Sequence, residues 1–265
     1  MAYKFGALIS IRNEEPWIEY CLKMIWNHVD AISITRGLTS WTNNFTKLDG
    51  TMEIVERFFE NREKSAYNKN IGLSTVANPQ SDEAQRNYCL QHLKEAGCDF
   101  VWIVDPDEFY HENDIIALKK FCEENGPEKV GQIFVRALSF WHGMGHCCGI
   151  ERFGPVIVAL RPETKFHYIR NIDQDPGSTL PVNLYHMTAV KTQEAMKEKI
   201  LGWSHSHEVV KDWWDKKWTG WLKDRKIRDL HPVSPGLWPY TTEIDKNELP
   251  KILHKHPWFK LDCVK

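Results

Sequence analysis

Residues 101–110, VWIVDPDEFY, join an apolar strand to an acidic turn. The run from Phe100 to Val104 is entirely apolar, which is typical of a strand buried on both faces. Asp105, Asp107 and Glu108 follow directly, and carboxylates this close raise each other's pKa unless a positive charge neutralises them. An Asp-x-Asp pair offers hard oxygen ligands to Mg²⁺ or Mn²⁺ and leaves positions for a substrate phosphate. A metal site is therefore the favoured interpretation, and a solvated turn with three surface acids is the alternative.

Strand and helix patterns alternate through the first half of the chain. Short apolar runs predict strands, and apolar residues at helical spacing predict the helices between them. The predicted strands are 5–11, 31–35 and 99–105, and the predicted helices are 18–29, 51–59, 82–96 and 113–124. This alternation predicts an α/β fold, a single Rossmann-like domain with a mostly parallel central sheet.

Three polar clusters follow predicted strands and should meet at one sheet edge. They are Arg12-Asn13-Glu14, Arg36-Gly37 and the turn that begins at Asp105. Ligands of such sheets bind beyond the carboxyl ends of the strands. The sequence therefore predicts one crevice lined by all three clusters.

The second half of the chain lacks this regular alternation of strand and helix patterns. Segments 132–140 and 156–160 predict strands, 192–199 predicts a helix, and the remainder is rich in Trp. Between the two strands, HGMGHCCG (142–149) predicts a Gly-rich loop. Its two His and two Cys could form a zinc site, but Cys147 and Cys148 lack the usual spacer, so a loop with incidental thiols is favoured.

Composition limits the classes of function. The chain has 265 residues and a net charge of −2, which argues against a protein that binds nucleic acid through phosphate contacts. No stretch approaches the roughly 20 apolar residues of a membrane span. Seven scattered cysteines and an N-terminus without a signal-like apolar run indicate reduced thiols in a cytoplasmic protein, with the inner face of a membrane as a second expected location. No linker or repeat divides the chain, so residues 1–265 are predicted to form one domain.

Four segments in this order resemble a known family. They are FGALISIRNEEPWIEYCL (5–22), DAISIT (30–35), SDEAQRNYCLQHL (81–93) and FVWIVDPDEFY (100–110). Together they are similar to nucleotide-sugar-dependent glycosyltransferases of the A-type fold, close to family 2, over residues 4–125. LYHMTAVKTQEAMKEK (184–199) is similar to a later His-then-helix segment of some members. The resemblance implies a nucleotide-sugar-binding half, 1–125, and an acceptor-binding half, 126–265, with C-terminal helices.

The resemblance also implies a metal site. Asp107 would be the principal ligand, Asp105 would face the donor ribose or a metal-bound water, and His186 would be a further ligand. Imidazole suits Mn²⁺ better than Mg²⁺, so manganese is the first expectation and magnesium the second. The alternative for His186 is a hydrogen-bonded histidine at a strand end.

Other residues would hold the nucleotide sugar. The resemblance assigns this to Arg12, Asn13, Glu14 and Arg86, although Arg86 could instead be an ordinary surface arginine of a helix. The family pattern departs at Arg36, which stands where an acid normally reads the nucleotide base. A guanidinium suits phosphate, so Arg36 is expected to contact that group.

The family chemistry needs a base and an acceptor site. Inversion at the sugar requires a carboxylate that takes the acceptor proton. The candidates are Asp173, Asp175 and Glu151, the first two being favoured, and Trp141 is the candidate acceptor contact. The expected acceptor is a glycan or a lipid-linked glycan.

The segment WWDKKWTGW (213–221) has two interpretations. Its tryptophans lie at helical spacing and are predicted to pack on the core. Its lysines would alternatively allow a helix of this kind to lie on an anionic membrane surface.

Two rival functions remain at this point. A haloacid-dehalogenase-like phosphatase also carries Asp-x-Asp after a buried strand, with Asp105 as nucleophile, although its motif usually follows the first strand. A non-catalytic carbohydrate-binding protein would explain the Trp content. The expected activity is a metal-dependent, inverting transfer of sugar from a nucleotide-sugar to a hydroxyl, with the oligomeric state left open.

Overall fold

A mixed sheet forms the centre of the computed structural model, which describes residues 2–37, 48–63, 70–76, 82–168, 170–203 and 205–264. Its order within these ranges is β3-β2-β1-β4-β7-β6-β8-β5, and β9 pairs with β7. The strands are β1 (Phe5–Ile11), β2 (Ala31–Gly37), β3 (Asn70–Val76), β4 (Phe100–Ile103), β5 (Glu108–Phe109), β6 (Gln132–Trp141), β7 (Gly143–Ala159), β8 (Gly177–Ala189) and β9 (Thr242–Glu243).

Five α-helices of eight or more residues connect or follow these strands in the described part of the chain. They are α1 (Ile18–Ile25), α2 (Thr51–Glu63), α3 (Asp82–Glu95), α4 (Glu112–Asn125) and α5 (Gln193–Gly202). α4 stops at Gly126, whose φ of 72° favours glycine. α5 begins at Thr192, whose hydroxyl accepts a hydrogen bond from the Ala195 N–H at 3.2 Å.

The N-terminal half forms the predicted parallel sheet. β1 pairs in parallel with both β2 and β4, so Ile11 lies beside Arg36 and Leu8 beside Ile103. The carboxyl ends of these strands therefore share one edge. β4 is buried on both faces, because Phe100 packs into one core cluster and Val101 into another. This confirms the prediction drawn from its apolar run.

The C-terminal half is less parallel than predicted. β7 pairs antiparallel with both β4 and β6, and β5 pairs antiparallel with β8, while β6 and β8 are parallel. β6 and β7 form a hairpin, which needs no crossover helix between its strands. The sheet is therefore mixed as a whole.

The prediction of a Gly-rich loop at residues 142–149 was wrong. Only His142, with a φ of 58°, forms the turn, and Gly143 already pairs with Trp141 in the hairpin. Successive side chains of a strand point to opposite faces. Cys147 accordingly joins the main core and Cys148 joins a separate cluster, so these two thiols cannot bind one zinc ion.

The Trp-rich C-terminal portion is mostly irregular instead of helical. It contains a π-helical turn at Trp214–Trp218, a turn at Thr219–Trp221 and several 3-10 turns. We call its apolar packing the tryptophan cluster, which includes Trp141, Trp213, Trp218, Trp221 and Trp238. Trp218 and Trp221 are fully buried, which confirms packing on the core and removes both rings from any membrane-facing surface. No helix among the described residues is long and apolar enough to cross a bilayer.

Candidate functional site

A cleft of about 630 Å³ opens at the edge where β1 and β4 end. Arg12, Asn13 and Glu14 line it after β1, and the Asp105–Asp107 turn lines it after β4. Its other lining residues come from α3, β7, β8, α5 and the segment beyond α5; those used below are Gln85, Arg86, Glu151, His186, Thr188, Lys191, Glu198, Lys199, Trp203, His231 and Trp238. The structure thus brings together two of the three predicted polar clusters in one cleft.

The carboxylate of Asp105 binds two arginines. Arg86 Nη2 donates to Oδ1 at 3.0 Å, and Arg170 Nη2 lies 2.8 Å from Oδ2. Burial alone would raise the pKa of Asp105, but the charges of Arg170 and Arg86 outweigh it and hold the pKa below its usual value. Asp105 therefore carries a negative charge that these two guanidinium groups neutralise. Arg86 is 4% exposed, which contradicts the alternative of a surface arginine.

Glu108 points into the protein. Its side chain is fully buried, and Oε1 accepts a hydrogen bond from Arg170 at 2.5 Å. Oε2 accepts from the backbone N–H of Asp105 at 3.1 Å, which closes the turn. Burial raises the pKa of Glu108 to about 8, whereas Arg170 opposes this rise. Glu108 is thus a structural residue of the acidic turn.

Asp107 is paired with His186. Asp107 Oδ1 lies 3.6 Å from His186 Nε2, and the backbone N–H of Met187 donates to the Asp107 carbonyl at 2.8 Å. Burial would raise the pKa of Asp107, but His186, Lys199 and Lys191 lower it below its usual value. Burial lowers the pKa of His186 to about 4, so its ring is neutral at pH 7. A neutral imidazole and an ionised carboxylate are the forms that bind metals.

This pair fits one divalent ion. Two ligands that each lie about 2.1 Å from an ion can be at most about 4.2 Å apart, and the observed separation is shorter. Both residues line the cleft, so further coordination positions would face a ligand bound there. Asp105 is turned toward Arg86 and Arg170, which does not fit the expectation of a third ligand from the same motif.

Two lysines add positive charge beside this pair. Lys191 Nζ lies 3.3 Å from Glu14 Oε2, and burial raises the pKa of Glu14 to about 7 while Lys191 opposes the rise. Lys199 donates to the backbone carbonyl of Thr188 at 2.9 Å and to its hydroxyl at 2.8 Å. An anionic ligand in the cleft would therefore meet ammonium groups held in fixed positions.

The turn after β1 is held by residues from a later segment. Asn13 has a φ of 51°, a left-handed conformation that asparagine tolerates better than most residues. Its side-chain carbonyl accepts from the N–H of Asp49 at 3.2 Å, and Asp49 Oδ2 accepts from the N–H of Glu15 at 3.0 Å. Thr51 Oγ1 accepts from the N–H of Glu14 at 2.9 Å. Asp49 and Thr51 thus shape the predicted nucleotide-binding turn.

Arg36 lies beside the cleft. Burial lowers the pKa of Arg12, the charge of Glu198 raises it, and the nearby charge of Arg36 lowers it. The Arg12 guanidinium thus lies close enough to both Glu198 of α5 and Arg36 of β2 for its pKa to respond to their charges. Arg36 itself is not among the lining residues.

The three candidate bases lie in different places. Glu151 lines the cleft from β7, and its Oε1 accepts from the Ser139 hydroxyl at 3.2 Å. The Asp173 side chain is 96% exposed and does not line the cleft. The carbonyl of Pro176, next to Asp175, accepts from the N–H groups of Gly131 and Gln132, where β6 begins, away from the ligand-binding edge. The favoured candidates, Asp173 and Asp175, thus do not line this cleft, whereas Glu151 does.

Trp141 cannot contact an acceptor. It is fully buried, and its ring packs against Trp213, Trp218 and Trp238 in the tryptophan cluster. The aromatic side chains that line the cleft are Trp203 and Trp238, together with His231. Trp141 is the last residue of β6, and its side chain joins the tryptophan cluster, whereas that of Phe140 joins the main core.

Several charged residues of the site were not predicted from the sequence. Arg170 lies in a polar segment that resembles an ordinary loop, and no local pattern distinguishes it. Lys191 and Lys199 belong to the segment that the resemblance covered, and their helical spacing with Ala195 was the available signal.

This geometry bears on the two rival functions. In the phosphatase interpretation Asp105 would attack phosphorus, yet its carboxylate already accepts from Arg86 and contacts Arg170. A protein that only binds carbohydrate would have no use for the paired Asp107 and His186 or for Lys191 beside them. A cleft with an Asp–His pair, fixed cations and a separate carboxylate has instead the groups that could hold a metal-bound diphosphate and accept a proton.

Comparisons with known proteins give weak similarities. No protein-family model and no curated protein matches this chain. Among solved structures it is similar to residues 1–349 of S. aureus TarS, at 17% identity and a TM-score of 0.42, over 69% of this chain and 60% of that one. The same fragment in complex with UDP gives 16% identity and 0.41, over 74% and 63%, and a further TarS structure gives 16% and 0.44, over 77% and 41%. This chain thus spans less than two thirds of each of those chains, and the function proposed below rests on the cleft itself.

Proposed function

We propose that the chain is a metal-dependent glycosyltransferase that moves a sugar from a nucleotide-sugar donor to a hydroxyl of a glycan or lipid-linked glycan, with inversion. The single observation that carries this proposal is the cleft-facing pair of Asp107 and His186, 3.6 Å apart, beside Lys191 and Lys199. Carboxylate, imidazole and ammonium groups at the carboxyl ends of strands suit a metal-bound diphosphate.

The donor would lie along the ends of β1 and β4. The turn at Arg12, Asn13 and Glu14 lines this part of the cleft, with Gln85 and Arg86 of α3 beside it. Asp107 and His186 would hold the ion, for which Mn²⁺ is the first expectation because one ligand is an imidazole. When bound, the ion would neutralise charge on the leaving diphosphate.

Glu151 is the proposed base. The acceptor hydroxyl oxygen bonds to the anomeric carbon while the bond between that carbon and the diphosphate oxygen breaks. Glu151 takes the hydroxyl proton, and the nucleoside diphosphate leaves with the electron pair. Of the three acids considered for this role, Glu151 is the one that lines the cleft.

Calorimetric titration tests the donor site. UDP, GDP and dTDP are titrated with and without Mn²⁺ into the wild type, Asp107→Asn and Asp173→Asn. Asp173→Asn is the matched control, since it makes the same chemical change at a side chain outside the cleft. We expect one diphosphate to bind only with Mn²⁺, to lose binding in Asp107→Asn and to keep it in the control. Absence of binding for all three nucleotides, or equal binding in both variants, would refute the proposal.

A further inference from the structure

One part of the cleft has an aromatic wall. We call it the outer end, and it is formed by Trp203, His231 and Trp238. The rings of His231 and Trp238 meet edge to face with centroids 4.5 Å apart, and Trp203 lies 6.3 Å from His231 in a similar arrangement. Trp238 is buried, whereas Trp203 and His231 are partly exposed. The outer end therefore offers apolar ring surface to a ligand.

The local backbone fixes the tautomer of His231. Its Nδ1 accepts hydrogen bonds from the N–H groups of Ser234 at 2.8 Å and Val233 at 3.2 Å. Burial lowers the pKa of His231 to about 4, and Lys199 and His205 lower it further in the same direction. The ring is thus neutral at pH 7, and the hydrogen-bond network assigns its proton to Nε2. No residue within the described ranges accepts a hydrogen bond from Nε2.

These features together select one class of ligand. A sugar ring has an apolar face of C–H groups that packs on an aromatic ring, and hydroxyl oxygens that accept from an N–H donor. An alkyl chain would leave the His231 donor without a partner, and an unpaired buried donor is costly. Glu151 lines the same cleft, so a sugar held at the outer end would occupy the cavity that the proposed base also lines.

We infer that the outer end is a saccharide subsite, in which a sugar ring packs on Trp203 and accepts a hydrogen bond from His231 Nε2. The inference rests on the proposed transferase function. It specifies that the acceptor is a saccharide and that one of its sugar rings binds at the outer end. His231 acts there as a hydrogen-bond donor that determines specificity, because its Nδ1 is engaged by the backbone.

Saccharide binding can be measured without knowing the acceptor. Saturation-transfer NMR is recorded with cellobiose, maltose, lactose and N,N′-diacetylchitobiose, and with cyclohexanol as a six-membered ring that lacks the array of hydroxyls. Each probe is tested with and without UDP and Mn²⁺. The proteins are the wild type, Trp203→Ala, His231→Asn, His231→Gln and His207→Asn, where His207 is an exposed histidine that does not line the cleft.

The two His231 variants separate the hydrogen bond that Nε2 would donate to a sugar from the hydrogen bonds that Nδ1 accepts from the backbone. An Asn oxygen can replace Nδ1 as acceptor for Ser234 but cannot reach into the cleft, whereas a Gln amide can place an N–H near the position of Nε2. We expect at least one disaccharide to bind the wild type, His231→Gln and His207→Asn. Its affinity should fall about tenfold in His231→Asn, the loss of one hydrogen bond, and at least as much in Trp203→Ala.

The outcomes distinguish this inference from the proposed function. Binding of cyclohexanol with no disaccharide bound, or equal disaccharide affinity in His231→Asn and His231→Gln, would overturn the saccharide subsite. Disaccharide binding that follows the expected pattern while no nucleotide binds would keep the subsite and refute the donor site. Nucleotide binding with no bound saccharide would keep the donor site and refute the saccharide subsite.

Discussion

Oδ1 of Asp107 lies 3.6 Å from Nε2 of His186, although the two residues belong to opposite halves of the chain. Backbone pairing sets this relationship, because β5 runs antiparallel to β8 and Glu108 is the direct partner of His186. The Met187 N–H also donates to the carbonyl of Asp107. Two side chains are thus fixed at the cleft by strand pairing, which is the rigid support that a metal site needs.

His186→Ala should weaken Mn²⁺ binding by at least about tenfold, because one of two proposed protein ligands is removed. Electron paramagnetic resonance of free Mn²⁺, in the presence of the diphosphate that binds, measures this directly. His205→Ala is the control, since His205 pairs with Glu208 outside the cleft. An unchanged Mn²⁺ affinity in His186→Ala would remove this residue from the site.

Glu151→Gln should lower the turnover number by about 10²-fold or more, the usual contribution of a general base. Mn²⁺-dependent diphosphate binding should stay at the wild-type level, because Glu151 is not one of the proposed metal ligands. Release of nucleoside diphosphate from the donor measures the rate, with Asp173→Asn as control. A rate that falls in Asp173→Asn and not in Glu151→Gln would show that Asp173, and not Glu151, is the base.

Arg170→Met should destabilise the fold by about 3–5 kcal/mol, because it removes a buried guanidinium that neutralises the ionised carboxylate of Asp105 and donates a hydrogen bond to Glu108. Urea unfolding at pH 7 measures the free energy. Lys216→Met is the matched control, since it breaks an exposed ion pair with Asp212 and should change stability little. Adding Asp105→Asn to Arg170→Met should recover part of the loss, because it removes the ionised partner, and a double variant no more stable than the single one would argue against a cost of unneutralised charge.

The strands of the parallel half could be predicted because their burial is local. Segment 5–11 is apolar along its whole length, and the structure assigns it the same bounds as β1. β3 was missed, because Asn70–Val76 alternates apolar residues with Gly, Ser and Thr and lacks such a run. Only the end of β7 was predicted as a strand, because the glycines and the adjacent cysteines of Gly143–Ala159 are typical of a loop. Pairing with β6 makes the whole segment a strand.

The candidate site could be predicted only where chemistry and strand ends coincide. Asp105 and Asp107 follow a recognisable strand, so their location at the cleft was expected. Their different partners were not, because Arg170 and His186 are distant in sequence and only folding brings them to the turn. The prediction that Trp141 contacts an acceptor was wrong because the sequence does not show which face of the sheet an aromatic residue at a strand end occupies.

Gly149→Ala should destabilise the protein by about 1–3 kcal/mol, the usual cost of overpacking. A methyl group there would lie 2.5 Å from Cδ1 of Trp238 and 2.8 Å from the carbonyl oxygen of Leu237. Gly154→Ala in the same strand is the control, because a Cβ at Gly154 meets nothing within 4 Å. Thermal unfolding with tryptophan fluorescence compares the two variants, and equal melting temperatures would show that Trp238 does not pack on Gly149 in solution.

His142 should make the protein less stable in acid. Its ring is buried against Trp218, with centroids 3.7 Å apart, and burial lowers its pKa from 6.5 to about 4, although the hydrogen bond to the Trp218 carbonyl opposes this. The unfolded chain therefore takes up this proton at a higher pH than the folded protein. The stabilising contribution of the neutral ring is complete above pH 6.5 and is lost as the pH falls toward 4.

His142→Gln tests this linkage, because Gln can still donate to the Trp218 carbonyl but does not titrate. The variant should be less stable than the wild type at pH 7, since it loses ring packing in the tryptophan cluster. The difference in unfolding free energy between the two proteins should shrink by up to about 3 kcal/mol between pH 7 and pH 4, in proportion to the pKa shift. Urea unfolding at half-unit pH steps measures it, and a difference that stays constant with pH would mean that His142 titrates alike in the folded and unfolded protein.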